Sequence, residues 1–230
     1  KEYFAILEPD FPQWLIEYIN TEELLKQQYI SITCGTIYSN LFKSSYFYSS
    51  LDHSVAVALI CWHFTHDKKI TLSGLFHDIA TPVFKHCIDF LQEDYMQQDT
   101  TEELTIEILK NSKKIMTLLK RDGILLEEVS NYQLYPIADN DTPQLSSDRL
   151  EYTLSNALFT YQLTDAKTIK KIYHDIEIQT NEQQEQELGF RTPQIAMEFV
   201  HLMSKNSHIY IEDKTRFSMQ LLADIIKKLI

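Results

Sequence analysis

Histidine followed directly by aspartate is the residue pair in this chain best suited to metal chemistry, since an imidazole and a carboxylate both bind divalent cations. The dipeptide occurs three times, at His66-Asp67, His77-Asp78 and His174-Asp175. A metal site needs three or more ligands, so a pair has meaning only where further histidine or acidic residues can join it. The surroundings of each pair therefore decide which of them is a candidate.

Two of the pairs have plain structural explanations. His66-Asp67 lies in FTHDKKIT, whose polar and basic residues indicate a helix end, and a histidine at a helix C-terminus interacts favourably with the helix dipole. His174-Asp175 lies in the charged segment KKIYHDIEIQ, with no further histidine or cysteine before His201. Without more ligands, neither pair is predicted to hold a metal.

The pair His77-Asp78 has different surroundings, because its segment TLSGLFHDIA is otherwise apolar and predicts a short, buried helix. Gly74 in this segment would allow another helix to approach closely. Polar groups in such a helix need partners. The sequence offers His53, at the start of DHSVAVAL, and Asp148, at the start of a later apolar helix. Imidazoles and carboxylates together suit Fe, Mn, Co, Ni or Zn.

Structural alternatives stay open for two of these residues. Asp148 and Glu151 have the spacing of a capping box, so Asp148 could serve only as a helix cap. Against this, Thr142-Pro143 offers an earlier helix start that would place Asp148 inside the helix. His53 could be a buried core histidine without a ligand role.

The order and spacing of these segments resemble the HD-domain superfamily of metal-dependent phosphohydrolases, and within it the deoxynucleoside triphosphate triphosphohydrolases. The resemblance is carried by DHSVAVA on one helix, by GLFHDIA with the following TPVFKH, and by SDRLEYTL on a later helix. These pieces occur in the family's order and cover residues 48 to 90 and 145 to 158, whereas residues 91 to 144 are only loosely similar.

The resemblance implies a site for one divalent transition metal, Fe, Mn, Ni, Co or Zn, with Mg as a further candidate. The implied metal ligands are His53, His77, Asp78 and Asp148. The implied catalytic residues are Asp89 and Glu102. The implied substrate-binding residues are Arg149, Tyr152 and His86. Arg149 and Tyr152 would present a cation and a hydroxyl to phosphate. Arg149 could instead pair with a neighbouring acidic residue, and His86 could instead orient a ligand.

Two threonines depart from the family pattern. Thr81 and Thr101 stand where the triphosphohydrolases usually have histidines that handle protons and phosphate. A threonine hydroxyl cannot act as acid or base near neutral pH. No histidine lies between His86 and His174, so the additional ligands of two-metal relatives are missing. The sequence therefore predicts one metal and slow turnover.

The elements that must position these residues are predicted to be helices. Only four glycines and six prolines interrupt the 230-residue chain, and strand-and-turn proteins need more turn residues. Helical spacing of apolar residues predicts a single all-α domain of roughly ten helices, and the resemblance implies that this domain is an HD-type bundle. Its metal-site core is expected at about residues 48–160 and its C-terminal helices at 165–230.

Three segments carry more specific expectations. Thr100 and Glu103 have capping-box spacing and open EELTIEILKNSKKIMTLLK, which is predicted to be one continuous helix. The polar run QTNEQQEQELGF is predicted to be a loop or a solvated face. Thr192-Pro193 and the segment EDKTRFSMQLLADIIKKL predict the starts of the last two helices.

The charge of the chain limits its partners. The 33 acidic residues outnumber the 21 basic residues and give a net charge of −12, which repels nucleic-acid backbones and anionic lipid surfaces. The expected partner is a small nucleotide or phosphate ester, with no nucleic acid and no membrane, and a homo-oligomer is left open. Three scattered cysteines without a CxxC motif, Cys34, Cys61 and Cys87, indicate a reducing compartment and hence the cytoplasm.

The leading interpretation is a metal-dependent phosphohydrolase that acts on a nucleotide or a related phosphate ester. The alternative is a catalytically weak or inactive HD module that binds metal and nucleotide as a sensor or structural element, and Thr81 and Thr101 favour it. A third interpretation, a helical interaction protein without metal, requires the order of the motifs to be coincidence.

Overall fold

A computed structural model of the chain describes residues 2–34, 46–85, 87 and 99–229, without the side chains of residues 99–103. The predicted all-α fold of roughly ten helices is confirmed, because the described residues form eleven α-helices and one two-stranded sheet. The helices are α1 (Glu2–Leu7), α2 (Leu15–Ile19), α3 (Glu22–Leu25), α4 (Ser50–Thr65), α5 (Lys68–Phe76), α6 (Asp99–Asn111), α7 (Lys113–Asp122), α8 (Ser147–Ser155), α9 (Ala166–Tyr173), α10 (Pro193–Ile211) and α11 (Asp213–Leu229). Strands β1 (Ile176–Thr180) and β2 (Gln186–Phe190) lie between α9 and α10, and a π-helical segment, Asn156–Thr160, follows α8.

Helix α4 is the central element of the core. Its start is a capping box, in which the Ser49 hydroxyl accepts a hydrogen bond from the Asp52 amide and the Asp52 carboxylate accepts one from the Ser49 amide, each 3.0 Å long. Every residue from His53 to Cys61 is buried, as expected of a helix that is apolar on all sides. Helices α1, α5 and α8 pack against it.

Helices α4 and α5 approach closely at Gly74. A side-chain carbon added at Gly74 would lie 3.0 Å from Cys61 Sγ and 3.2 Å from Val57 Cγ1. A larger residue would therefore push the two helices apart. The prediction that Gly74 permits a close approach is confirmed.

The end of α5 differs from the prediction. The helix was expected to include the pair His77-Asp78, but it ends at Phe76. The Thr81 amide then donates a hydrogen bond to the Asp78 carbonyl at 3.0 Å. Pro82 disfavours a helical conformation in the residue before it, so the chain turns here. The pair therefore lies in a turn at the end of a buried helix.

Residues 99–122 form two helices rather than one. Ser112 separates α6 from α7, and its hydroxyl accepts a hydrogen bond from the Ile115 amide at 3.2 Å. Serine favours such caps over helix interiors because its side chain bonds to nearby backbone. The prediction of one continuous helix is wrong, because apolar spacing on both sides of Ser112 hid the cap. The predicted capping box of Thr100 and Glu103 falls on side chains outside the described residues.

The polar run predicted as a loop or solvated face forms a β-hairpin. Strands β1 and β2 are antiparallel, with Ile178 opposite Leu188, and Leu188 is buried in the core. Apolar residues alternate with polar ones in both strands, which is the period of a strand with one buried face. The prediction is wrong because the many glutamines and glutamates obscured this short alternation.

The last two helices begin where the sequence predicts. Pro193 occupies the first turn of α10, and α11 starts at Asp213. Phe199 and Leu202 of α10 belong to the same hydrophobic core as Tyr3 of α1. None of the described helices has both the length and the apolar character needed to cross a bilayer.

Candidate metal centre

Three of the predicted ligands converge on one point. His53 Nε2 lies 3.1 Å from both His77 Nε2 and Asp148 Oδ1, and His77 Nε2 lies 3.6 Å from Asp148 Oδ1. Ligand atoms around one ion, with bonds of about 2.0–2.2 Å, lie about 3–3.5 Å apart. The three side chains thus have the spacing that a single cation requires. Within the described part of the chain, they form the one such group of histidine, cysteine or acidic residues.

Separate elements bring these three residues together. His53 lies near the start of α4, His77 directly follows α5, and Asp148 is the second residue of α8. The loop before α8 fixes the last of these positions, since the Asp148 amide donates to the Ala138 carbonyl at 3.3 Å. The centre therefore depends on the packing of α5 and α8 against α4.

Asp148 does not cap α8. Ser146 is the cap, and its hydroxyl accepts a hydrogen bond from the Arg149 amide at 3.3 Å. The capping alternative for Asp148 is therefore wrong, and so is the earlier helix start at Thr142-Pro143. The Asp148 carboxylate is left to face the imidazoles, with 23% of the side chain exposed.

Glu151 holds the second nitrogen of His53. Its carboxylate is fully buried and contacts His53 Nδ1. The same carboxylate accepts hydrogen bonds from the hydroxyls of Tyr48 at 2.7 Å, Tyr3 at 3.2 Å and Ser155 at 3.2 Å. A carboxylate fixed by so many donors can orient a ligand imidazole, which is a common arrangement in metal sites.

Glu151 is not among the site residues predicted from the sequence. Its spacing from Asp148 indicated only a capping box, yet residues three apart also share one helix face. The signal for Glu151 is that a ligand histidine usually needs a carboxylate partner, and Glu151 lies on the same helix face as the proposed ligand Asp148. His77 has an equivalent partner, because its Nδ1 lies 2.7 Å from the Gly74 carbonyl. Each ring thereby turns Nε2 toward the centre.

Asp78 lies beside the group of three rather than within it. Its Oδ1 is 3.8 Å from His77 Nε2 and accepts a hydrogen bond from the Thr81 hydroxyl at 2.9 Å. Its Oδ2 accepts one from Lys85 Nζ at 2.8 Å, and the Gln27 amide donates to its backbone carbonyl. Asp78 is thus next to the centre but outside the group at ligand spacing, because its carboxylate is held by Thr81 and Lys85.

These contacts set the charges of the centre. Burial alone would lower the pKa of His53, but the charge of Glu151 and hydrogen bonds to Asp148 and Glu151 raise it to about 10. Burial favours neutral Asp148, yet the hydrogen bond from His53 brings its pKa below the usual range. The pKa of Asp78 is well below its usual range, because the Lys85 ammonium and the imidazoles outweigh burial. Without metal, the centre therefore holds an imidazolium at His53 and two carboxylates.

Arg149 is engaged by the loop before α8. Its Nη1 lies 3.3 Å from Asp139 Oδ1, and its Nε donates to the Gln144 carbonyl at 2.8 Å. Its Nη2 contacts Asn140. The acidic partner of Arg149 is therefore Asp139, not the neighbours on its own helix. A role in binding phosphate would require these contacts to break.

Tyr152 follows Asp148 by one helical turn, so both lie on one face of α8. Burial and then the charge of Asp148 raise the pKa of the Tyr152 hydroxyl, which keeps it protonated and able to donate at neutral pH. His86 and Asp89 lie outside the described residues, as does the side chain of Glu102. Their roles stay predictions.

The other two His-Asp pairs have structural roles. His66 ends α4 in the left-handed region, at φ 50°, and Asp67 caps α5 by accepting a hydrogen bond from the Lys69 amide at 2.7 Å. Asp175 accepts hydrogen bonds from the Thr192 amide at 2.9 Å and the Thr192 hydroxyl at 2.7 Å. These bonds tie the start of β1 to the start of α10.

Comparison of the chain with protein-family models and with curated proteins gives no match. The donor set itself therefore indicates what the centre can hold. Two imidazole nitrogens and a carboxylate, with a second carboxylate beside them, suit Fe, Mn, Co, Ni or Zn. The charges of Asp78 and Asp148 would offset those of a divalent ion. The three cysteines are buried and do not belong to the group.

Replacing Glu151 by glutamine should weaken metal binding about 10–100-fold, the usual cost of losing the partner that orients a ligand imidazole. Isothermal titration with Mn²⁺ measures this. Asp52→Asn is the matched control, because Asp52 adjoins His53 in sequence while its carboxylate accepts a hydrogen bond from the Ser49 amide, which the side-chain oxygen of asparagine can also accept. Equal losses in the two variants would show that Glu151 acts only through the fold of α4.

Proposed function

We propose that this protein is an HD-domain metal-dependent phosphohydrolase that acts on a nucleotide or a related phosphate ester. The supporting observation is the convergence of His53, His77 and Asp148 at metal-ligand spacing, with Asp78 directly beside them. These are the four residues that the family resemblance assigns to the metal. They come from α4, from the turn after α5 and from α8, so their meeting is not a consequence of local spacing.

A divalent ion held by these residues would polarise a phosphoryl oxygen and lower the pKa of a bound water. The side chains of His53 and His77 are only 8% and 4% exposed, whereas those of Asp78 and Asp148 are each 23% exposed. Substrate would therefore approach from the carboxylate side. The protonated Tyr152 hydroxyl is suited to donate a hydrogen bond to a phosphate oxygen there.

The remaining residues complete this proposal as the resemblance assigns them. Asp89 and Glu102 would position or deprotonate the attacking water, which are the tasks of a general base. Arg149 and His86 would bind the substrate, and Arg149 would first have to leave Asp139.

A second candidate is an HD module that binds metal and nucleotide with little or no turnover. Thr81 stands where the related enzymes have a histidine, and its hydroxyl is used to hold Asp78. Arg149 is engaged by Asp139 and the neighbouring loop. The two candidates share the metal centre and differ in the rate of the chemical step.

Nucleotide binding should survive the missing histidines better than turnover does. General acid–base groups contribute about 10²–10⁴ in rate, so hydrolysis should be far below the roughly 10 per second of an ordinary enzyme. Thr81→His alone should not restore a fast enzyme, because Thr101 also replaces an imidazole.

The measurement is release of phosphate, pyrophosphate and triphosphate from nucleoside mono-, di- and triphosphates with Mn, Ni, Co or Mg, alongside direct binding. His77→Ala is the control for contaminating activity, because it should lose whatever hydrolysis the unmodified chain has. Rapid triphosphate release by the unmodified chain would show that other groups carry the protons. Hydrolysis that His77→Ala retains in full would contradict the proposed site.

A further inference from the structure

Lys85 places an ammonium group beside the metal centre. Its Nζ lies 2.8 Å from Asp78 Oδ2, and Asp78 Oδ1 lies 3.8 Å from His77 Nε2. The Lys85 side chain is only 10% exposed, and lysine is seldom buried unless its charge is paired, because an unpaired buried charge is costly. The ammonium is therefore a buried, paired group of the centre rather than a charge on the protein surface.

The backbone directs Lys85 to this position. Its φ is 43°, in the left-handed region that residues with a side chain rarely adopt. The Lys85 amide donates to the Pro82 carbonyl at 2.9 Å and closes a tight turn. This turn returns the lysine to Asp78, seven residues earlier in the chain. Such backbone outliers concentrate at functional sites.

The neighbouring charges indicate what the ammonium can do when metal is present. A divalent ion would be offset by the carboxylates of Asp78 and Asp148, which leaves the positive charge of Lys85 in excess on that side. Glu151 cannot neutralise it directly, because it contacts His53 Nδ1, on the edge of the ring away from the centre. Excess positive charge beside a partly exposed centre attracts an anion.

The arginine assigned to phosphate is already paired. Arg149 has contacts with Asp139, Asn140 and Gln144, all in the loop before α8. Lys85 has a flexible four-carbon side chain and binds phosphate as a point charge. Rotation about its side-chain bonds can therefore move the ammonium from a carboxylate to a nearby phosphate oxygen without moving the backbone turn.

We propose that Lys85 is a substrate-binding residue of this centre, whose ammonium passes from Asp78 to a phosphate oxygen of the substrate when Asp78 joins the metal. This role rests on the proposed phosphohydrolase function and adds to it the cation that binds the phosphate. Asp78 then has two states, paired with Lys85 without metal and turned toward the ion with metal.

Binding of inorganic phosphate to the Mn²⁺-loaded full chain, measured by titration calorimetry, tests this role. Lys85→Met should weaken phosphate binding about 10–100-fold, the usual contribution of a hydrogen bond to a charged group. It should leave Mn²⁺ affinity undiminished, and Lys85→Arg should keep most of the phosphate affinity. Lys69→Met is the control, because it removes a lysine that is paired with Glu128 instead.

The outcomes separate this role from its rivals. Lys85→Gln keeps a side-chain hydrogen-bond donor for Asp78 and serves as the second variant if Lys85→Met does not fold.

Loss of phosphate binding with retained Mn²⁺ binding supports the proposal. Loss of Mn²⁺ binding in Lys85→Gln would show that the lysine only positions Asp78, and would overturn it, as would unchanged phosphate affinity. Mn²⁺-loaded wild-type chain that binds no phosphate would overturn the proposed function as well.

Discussion

Chains carrying His77→Ala or Asp148→Asn should lose their metal, whereas chains carrying His66→Ala or His174→Ala should keep it. His77→Ala removes a ligand nitrogen from the group of three, and Asp148→Asn removes the negative charge of its ligand oxygen. The cost should exceed the roughly 10–100-fold that follows loss of an orienting partner. His66 and His174 belong to the pairs with structural roles at the ends of α4 and α9.

Elemental analysis after equilibration with limiting Mn²⁺ measures the metal-to-protein ratio of the four variants. Asp148→Asn is the sharper of the two ligand changes, because Ser146 and not Asp148 caps α8, so the helix keeps its cap. Circular dichroism confirms that each variant is folded. Equal metal content in all four variants would show that the histidine and aspartate assignments are wrong.

Metal affinity should fall about tenfold for each unit of pH below the pKa of His53, and so about 100-fold from pH 8 to pH 6. Without metal, the surrounding carboxylates raise the pKa of His53 to about 10, so its imidazole is protonated across this range. The Nε2 atom must lose that proton to bind a cation. Because the proton and the metal compete for one nitrogen, a lower pH favours the proton.

Titration calorimetry in buffers of different ionisation enthalpy measures the proton released with each Mn²⁺ bound. The expected value at pH 7 is close to one, and the Glu151→Gln variant should release less, since Glu151 is the first of the groups that raise this pKa. His66→Ala should match the unmodified chain. Binding that is independent of pH between 6 and 8 would mean that His53 is neutral without metal or is not a ligand.

Local sequence patterns predict the helical fold class. Together with the family resemblance, they also select the three proposed ligands that the structure brings into one group. Few glycines and prolines and repeated helical spacing predicted the fold class, and Gly74 predicted the close contact of α4 with α5. The histidine and aspartate pattern, read with the family resemblance, selects His53, His77 and Asp148 from the sequence alone.

Features that depend on tertiary neighbours could not be predicted in the same way. Glu151 orients His53 only because α8 packs on α4, and Lys85 reaches Asp78 only through a turn with left-handed backbone. Arg149 was assigned to phosphate by the family resemblance, and the sequence gives no sign of its ion pair with Asp139. Each of these contacts depends on helix packing or on a loop conformation that the spacing of residues in the sequence does not reveal.

Errors in the secondary structure have a different origin. Ser112 ends a helix inside a segment whose apolar spacing continues past it, so the cap was hidden by the longer pattern. In the hairpin, a high content of glutamine and glutamate outweighed a short alternation of apolar residues, of which Leu188 is buried. Both errors arise where the overall composition or apolar spacing of a segment conceals a short local signal.

A crystal structure of the chain grown with Mn²⁺ gives the most direct measurement, because the anomalous signal locates the ion without reference to activity. We expect one peak per chain, within ligand distance of His53 Nε2, His77 Nε2 and Asp148 Oδ1, with the Asp78 carboxylate turned from Lys85 to the ion. A crystal that binds Mn²⁺ elsewhere at high occupancy but holds no ion between these three atoms would contradict the metal centre and the phosphohydrolase function built on it.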